Sequence, residues 1–596
     1  MEYKSRKDVP EKYQWDLKDI FGSDDEFEKA MNQLTKISDE VASYKGSIMK
    51  SADNLYNFYK ISEKMNRLSG KIYMYAMLNC DGDTTNSYYQ SMKMKVQKQD
   101  EEISSKLSFI SSEMLSIDYK VILDYINEDE RLKPYQFDLE KMFRYKEHTL
   151  SEKEEAIITE ANNAMGTGSE VFYNVDNADI NLGKIKDEDG KDIELTNSNY
   201  IKYMNSKNRK VREDAFNHMF KYFEKLKNSI AACLKGNIKE NFFISKIRKY
   251  SSPLEMSLYQ DSIDKEVYTN LIKSVHNNLE TFYDYMKLRK NVLNLDELHM
   301  YDMYVDLVNT RVEDISFEEG KSIVFEALKP LGNKYIKDLN KAFEEKWIDI
   351  YPNKGKKSGA YSWGSYDTKP YLLLNYNDTI DSVNTMAHEL GHSMHSYYSS
   401  NNQNYYNSHY PIFLAEIAST VNEVLLNDYL YHNANTKEEK ILYLTDFLDK
   451  VRGTIYRQTM FAEFEMIMHD KEEHNIPLTE EEFSKTYYEL NKLYYGDSVV
   501  SDDLIRYEWA RIPHFYTSFY VYKYATGLSA ALAIASDVLD GKEDVRDKYL
   551  EFLSSGGSDY PLNILKKVGV DMTTTEPIEK ALKMFKDKLQ KLEQLL

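Results

Sequence analysis

The sequence predicts a mainly α-helical chain carrying one small β-sheet. Proline and glycine are sparse, 11 and 22 among 596 residues, as long helices require, since both interrupt or loosen helical turns. Apolar residues recur in steps of three and four over long stretches, the signature of one buried helical face. Strand-like runs cluster in one short region, just ahead of the densest chemical motif.

Taken in chain order, Leu55, Phe58, Ile61, Met65, Leu68 and Ile72 line one helical face behind Asp53. A chain of 596 residues exceeds one ordinary core, so at least two subdomains are expected. The polar segment 174–199 is the boundary candidate, dividing an amino-terminal helical domain (1–190) from a larger catalytic domain (191–596). The basic run at 207–212 reads as a solvated helix face. Residues 347–351, 360–363 and 371–376 are rich in aromatic and branched side chains and predict a small sheet. An edge of it can pair with an extended peptide backbone. The loop 353–359 holds glycine and lysine but lacks GxxxxGK[ST], so no nucleotide is expected. Ile578, Leu582, Phe585, Leu589 and Leu592 predict a last helix behind Pro577, a favoured first-turn residue.

His388-Glu389-Leu390-Gly391-His392 is a complete HExxH motif. Val383, Met386, Leu390 and Met394 place it on an amphipathic helix, with Asp378 and Asp381 as candidate N-caps. Side chains at i and i+4 meet on a helix surface, so both imidazoles can reach one metal ion and Glu389 can act as general base on water. Gly391 costs about 1 kcal/mol relative to alanine and implies that something approaches the backbone closely. A second helix is predicted after Pro411, with Phe413, Ile417, Val421 and Val424 on one stripe. It offers Glu416 as third ligand, giving the His₂Glu set of catalytic zinc. His395 is a rival ligand on the same rigid helix. The longer HExxHxxGxxH pattern fails, because His395 and Tyr398 stand where Gly and His are required. Glu423, seven residues beyond Glu416, is either a solvated glutamate or a carboxylate orienting a metal-bound imidazole.

HELGHSMH and FLAEIASTVNE, with GAYSWGS and PYLLLNYND upstream, resemble the oligoendopeptidase F family of the thimet-oligopeptidase-like zinc peptidases. The amino-terminal YQWDLKDIFGS and carboxy-terminal WARIPHFYTSFYVYKYATG extend the likeness over nearly the whole chain. The resemblance implies a two-lobed, multi-helix shell around a deep substrate channel. It also implies one Zn²⁺ per chain and cleavage of short unstructured peptides. Such chemistry needs a donor for the oxyanion beyond the metal. Tyr522 matches the family's reactive tyrosine, with His514 and Tyr516 as shifted candidates; Phe515 and Phe519 stand where relatives carry tyrosine.

Composition narrows the alternatives. A formal charge of −21 argues against nucleic acid or an anionic membrane as partner. No stretch of about 18 apolar residues is present to span a bilayer. The first residues lack an apolar signal core, and Cys80 and Cys233 form no CxxC, so a reducing cytoplasm is the expected location. Two other functions fit parts of the sequence. A zinc exopeptidase would use Arg506 or Arg511 for a substrate terminus, and a non-catalytic peptide binder would not need Glu389.

Overall fold

The computed structural model describes residues 3–310 and 314–596, and 71% of the chain is helical. It contains two compact units. One comprises Met1–Lys146, Val312–Tyr429 and Ile534–Gly569; the other comprises Glu147–Arg311, Leu430–Ala533 and Val570–Leu596. The polar segment 174–199 lies inside the second unit, where Lys184–Lys186 and Asp192–Glu194 form an antiparallel hairpin.

The first unit opens with three helices, Asp24–Ala42, Ala52–Gly82 and Ser87–Lys106. Each has a polar cap: the side chains of Ser23, Ser51 and Asn86 accept from the main-chain N–H of Glu26, Asn54 and Tyr88. The second helix therefore starts at Ser51 rather than at Asp53, which sits in the first turn, where the helix dipole favours a carboxylate. Leu55, Phe58, Met65 and Ile72 are buried against Leu34, Ile37 and Val41; Ile61 and Leu68 pack at the margin of this core.

The expected sheet is present and short. Tyr371–Leu373 is its central strand, parallel to Ile348–Asp349 on one side and antiparallel to Tyr361–Trp363 on the other. Tyr361–Trp363 is thus an edge strand, paired as Tyr361 with Leu373, Ser362 with Leu372 and Trp363 with Tyr371. Asp349 ends its strand fully buried, bound by Arg6 at 2.7 Å and Lys356 at 2.7 Å. The glycine- and lysine-bearing loop therefore supplies a buried counter-ion to the sheet. A buried carboxylate needs such partners because desolvation of the bare charge is costly.

In the second unit the 39-residue helix Arg209–Ile247 corrects the reading of the basic run. Arg212 is buried and donates to Asp302 at 2.6 Å, and Arg209 joins the same carboxylate at 2.9 Å. The run is a staple to a buried aspartate and not only a solvated face. The final helix, Glu576–Leu595, buries all five predicted residues, with Pro577 in its first turn. Cys80 and Cys233 are free thiols. Among the described residues no helix is long and apolar enough to cross a membrane.

Candidate metal centre

The HExxH motif lies in the middle of the helix Ile380–Asn402. Its cap is Thr379, whose hydroxyl accepts from Ser382 N–H. Asp378 is not the cap: it takes a left-handed conformation (φ +61°) and gives its carbonyl to Ile315 N–H at 3.0 Å. Asp381 sits in the first turn. Val383, Met386, Leu390 and Met394 are fully buried, which turns His388 and His392 to the other side.

The second helix runs from Ile412 to Asn433 and buries Phe413, Ile417, Val421 and Val424 as expected. Gly391 explains how close the two helices come. A Cβ there would lie 2.5 Å from Ser419 Cα and 2.7 Å from the Ala418 carbonyl oxygen, so only glycine permits this backbone contact. A buried amide fixes the register: Asn422 donates to the Ala387 carbonyl at 3.0 Å and accepts from Tyr335 at 3.2 Å.

This approach brings His388, His392 and Glu416 together, with donor atoms all within 4.8 Å of one another. The two histidine Nε2 atoms are 3.2 Å apart, and Glu416 Oε2 lies 3.7 Å from one and 3.8 Å from the other. A tetrahedral ion held at about 2.0–2.1 Å requires donor separations of about 3.3 Å, so the group fits one ion with closure of a few tenths of an ångström. Donor chemistry agrees. Burial and the adjacent His388 push the His392 imidazolium down to about 4, leaving a neutral ring with a lone pair. The ring of His392 donates to the Ala415 carbonyl, and His388 Nδ1 lies 3.1 Å from Glu423 Oε1. Partners on the far nitrogens aim both Nε2 atoms at one point, so Glu423 takes the orienting position rather than the solvated one.

Glu389 is 8% exposed. Burial raises its carboxyl above the ordinary range and nearby Glu416 adds to this, while the charge of His388 and the main-chain N–H of Ser362 pull it back. A carboxylate so placed is a stronger base than one in water. His395 does not join the ligand group. It is fully buried with its ring stacked 3.6 Å from that of Tyr410, and burial lowers its imidazolium to about 3. Three residues beyond His392, its side chain is turned into the packing of the first unit.

His514, Tyr516 and Tyr522 belong to the second unit. His514 Nε2 lies 3.3 Å from the Tyr524 hydroxyl, and its ring runs parallel to that of Tyr520. Burial and the Arg457 charge favour the neutral imidazole. Tyr522 is fully buried 5.2 Å from the Tyr268 ring; Tyr516 stacks on Phe172 at 4.4 Å with its hydroxyl buried. The structure therefore groups His514 with Tyr520 and Tyr524, which the sequence reading passed over. Their i, i+4 spacing was the available signal, hidden among 50 tyrosines. Arg506 is held by Asp503 and Arg511 lies over the Tyr200 ring, so each has a structural partner.

Comparison with known proteins agrees with this geometry. Residues 202–584 match the model of peptidase family M3, and residues 113–181 that of oligopeptidase F; the gap between them, 182–201, falls largely within the polar segment 174–199. The chain is 42% identical to oligopeptidase PepF of Bacillus subtilis, covering 99% of this chain and 88% of that one. It is 38% identical to group B oligopeptidase PepB of Streptococcus agalactiae, covering 99% and 98%. The crystal structure of oligoendopeptidase-F from Enterococcus faecium superimposes with a TM-score of 0.72 at 33% identity, covering 96% of this chain and 99% of that one. A crystal structure from Chlamydophila abortus superimposes with a TM-score of 0.95 at 35% identity over the whole of both chains. With an HExxH helix, a carboxylate brought beside it by the next helix and these relatives over its full length, the chain belongs to peptidase family M3, as a metallopeptidase of the oligoendopeptidase F type.

Proposed function

We propose that this oligoendopeptidase uses one zinc ion, held by His388, His392 and Glu416, with Glu389 as general base, to cleave internal bonds of short unstructured peptides. One observation carries the reading: three donors converge in the geometry of a single ion, beside a buried carboxylate of raised basicity. Zinc supplies a Lewis acid at that point. The remaining steps belong to the chain. Glu389 takes a proton from the attacking water as oxygen adds to the scissile carbonyl carbon. It then delivers that proton to the amine nitrogen as the carbon–nitrogen bond breaks. Glu423 and the Ala415 carbonyl hold the imidazoles in the tautomer that presents Nε2.

His514 is our proposed donor to the developing oxyanion, with Tyr520 or Tyr524 beside it. Partial exposure of all three side chains supports this, as does the neutral state of His514. Tyr522 and Tyr516 serve only if their hydroxyls are uncovered, and Tyr522→Phe against Tyr524→Phe separates the two readings by kcat. A well-placed donor of this type is worth about 3–4 kcal/mol. The reading extends to a chain working in the cytoplasm on peptides alone. Its direct test is metal content: the purified protein should carry about one zinc per chain, lose activity to a chelator and regain it with zinc. Full activity with less than a tenth of an equivalent of any transition metal would overturn it.

A further inference from the structure

Ser362 occupies the middle of the edge strand Tyr361–Trp363. Its main-chain N–H points away from the central strand, because Ser362 pairs with Leu372, whose own N–H is spent on the Trp347 carbonyl on the opposite side, and it faces the Glu389 carboxylate. Its hydroxyl lies 2.7 Å from the hydroxyl of Ser393. Ser393 is fully buried on the motif helix and donates to the Glu389 carbonyl oxygen at 3.0 Å. With that hydrogen committed, the Ser362 hydroxyl must be the donor of the pair. The edge strand is therefore tied to the backbone of Glu389 through Ser393, with the Ser362 N–H facing its carboxylate.

We propose that Ser362 and Ser393 are positioning residues that lock the general base to the strand on which the substrate backbone is laid. The proposal rests on the reading of Glu389 as the base. Physically, proton transfer is sensitive to sub-ångström placement, and a helix and an edge strand joined only by side-chain packing slide by that much. Two hydrogen bonds in series, one of them fully buried, remove this freedom. The same N–H is a main-chain donor on the open edge.

The test uses the zinc-loaded full chain and the variants Ser362→Ala, Ser393→Ala, Ser362→Thr and the double Ser362→Ala/Ser393→Ala. Each alanine variant should keep its metal and its KM while kcat falls about 10-fold. The double variant should fall no further than either single, because both break one relay. Ser362→Thr retains the hydroxyl on a β-branched residue suited to a strand and should keep kcat within about twofold. Hydrogen exchange of the 361–363 amides in chelator-treated protein should accelerate in Ser393→Ala and not in Ser362→Thr, a readout independent of turnover. Single-variant kcat within twofold of the parent, or losses that multiply in the double variant, would overturn the proposal. Glu389→Gln run alongside separates the two failures: if it too keeps its kcat, the base assignment has failed rather than the clasp.

Discussion

Gly391 stands where the motif helix touches the helix of Glu416, and the added Cβ of alanine would meet backbone rather than a movable side chain. Gly391→Ala should destabilise the metal-free protein by about 3 kcal/mol and lower its metal occupancy; an unchanged melting temperature would contradict the close contact. Glu423→Gln keeps the shape beside His388 but removes the charge that orients the ring. Zinc affinity should fall about 10- to 100-fold, measured by competition with a chromophoric chelator, whereas an unchanged affinity would return Glu423 to a solvated role. At this scale the sequence was most legible where chemistry fixes spacing: His388, Glu389, His392 and Glu416 all follow from the motif and the next helix. Ser362, Ser393 and Asn422 were invisible, because a serine or asparagine acquires its role only from the partner that folding brings to it.

At the scale of elements, the turn before Tyr520 carries strain. Phe519 has a positive φ of 58° and donates its N–H to Glu465 at 3.0 Å. Burial pushes the Glu465 carboxyl from 4.5 up to about 8. Between those values the folded chain holds a proton that the unfolded chain has released, so this group's contribution to stability is lost as pH rises from about 4.5 to about 8. Glu465→Gln should therefore raise the melting temperature relative to the parent more at pH 8 than at pH 5; the reverse order would show the carboxyl to be ionised in the fold. Neighbouring His469, lowered by burial from 6.5 to about 4, acts in the opposite sense, its contribution being lost as pH falls through that range. Helices such as Glu576–Leu595 were legible because a 3.6-residue period repeats over several turns. The strands were found in place but shorter than their apolar runs. The cap of the motif helix is neither Asp378 nor Asp381 but Thr379, whose short hydroxyl reaches the first free N–H groups.

At the scale of the whole molecule, each compact unit is assembled from three stretches of chain. Local composition cannot announce such an arrangement, because the contacts that define it join residues hundreds of positions apart. Class and chemistry were legible nonetheless, through the scarcity of proline and glycine and through motifs spread along the full length. The proposed pairing of substrate with the edge strand sets an expectation for substrate size. An edge strand can pair only with main-chain groups that are free, and folded proteins have satisfied theirs. Peptides of roughly 6 to 20 residues, about 3.3 Å per residue when extended, should be cut internally, and blocking both termini should change the rate little. Mass spectrometry of the products checks this, and digestion of a stably folded protein or dependence on a free terminus would contradict it. The central claim is that one residue of the HExxH helix moves the proton while another segment completes the metal site. It is tested most directly by measuring metal content and kcat together in Glu389→Gln and Glu416→Gln. The account predicts that Glu389→Gln retains about one zinc per chain and loses several orders of magnitude in kcat, while Glu416→Gln loses metal. Full metal occupancy and activity in Glu416→Gln, or near-normal kcat in Glu389→Gln, would contradict it.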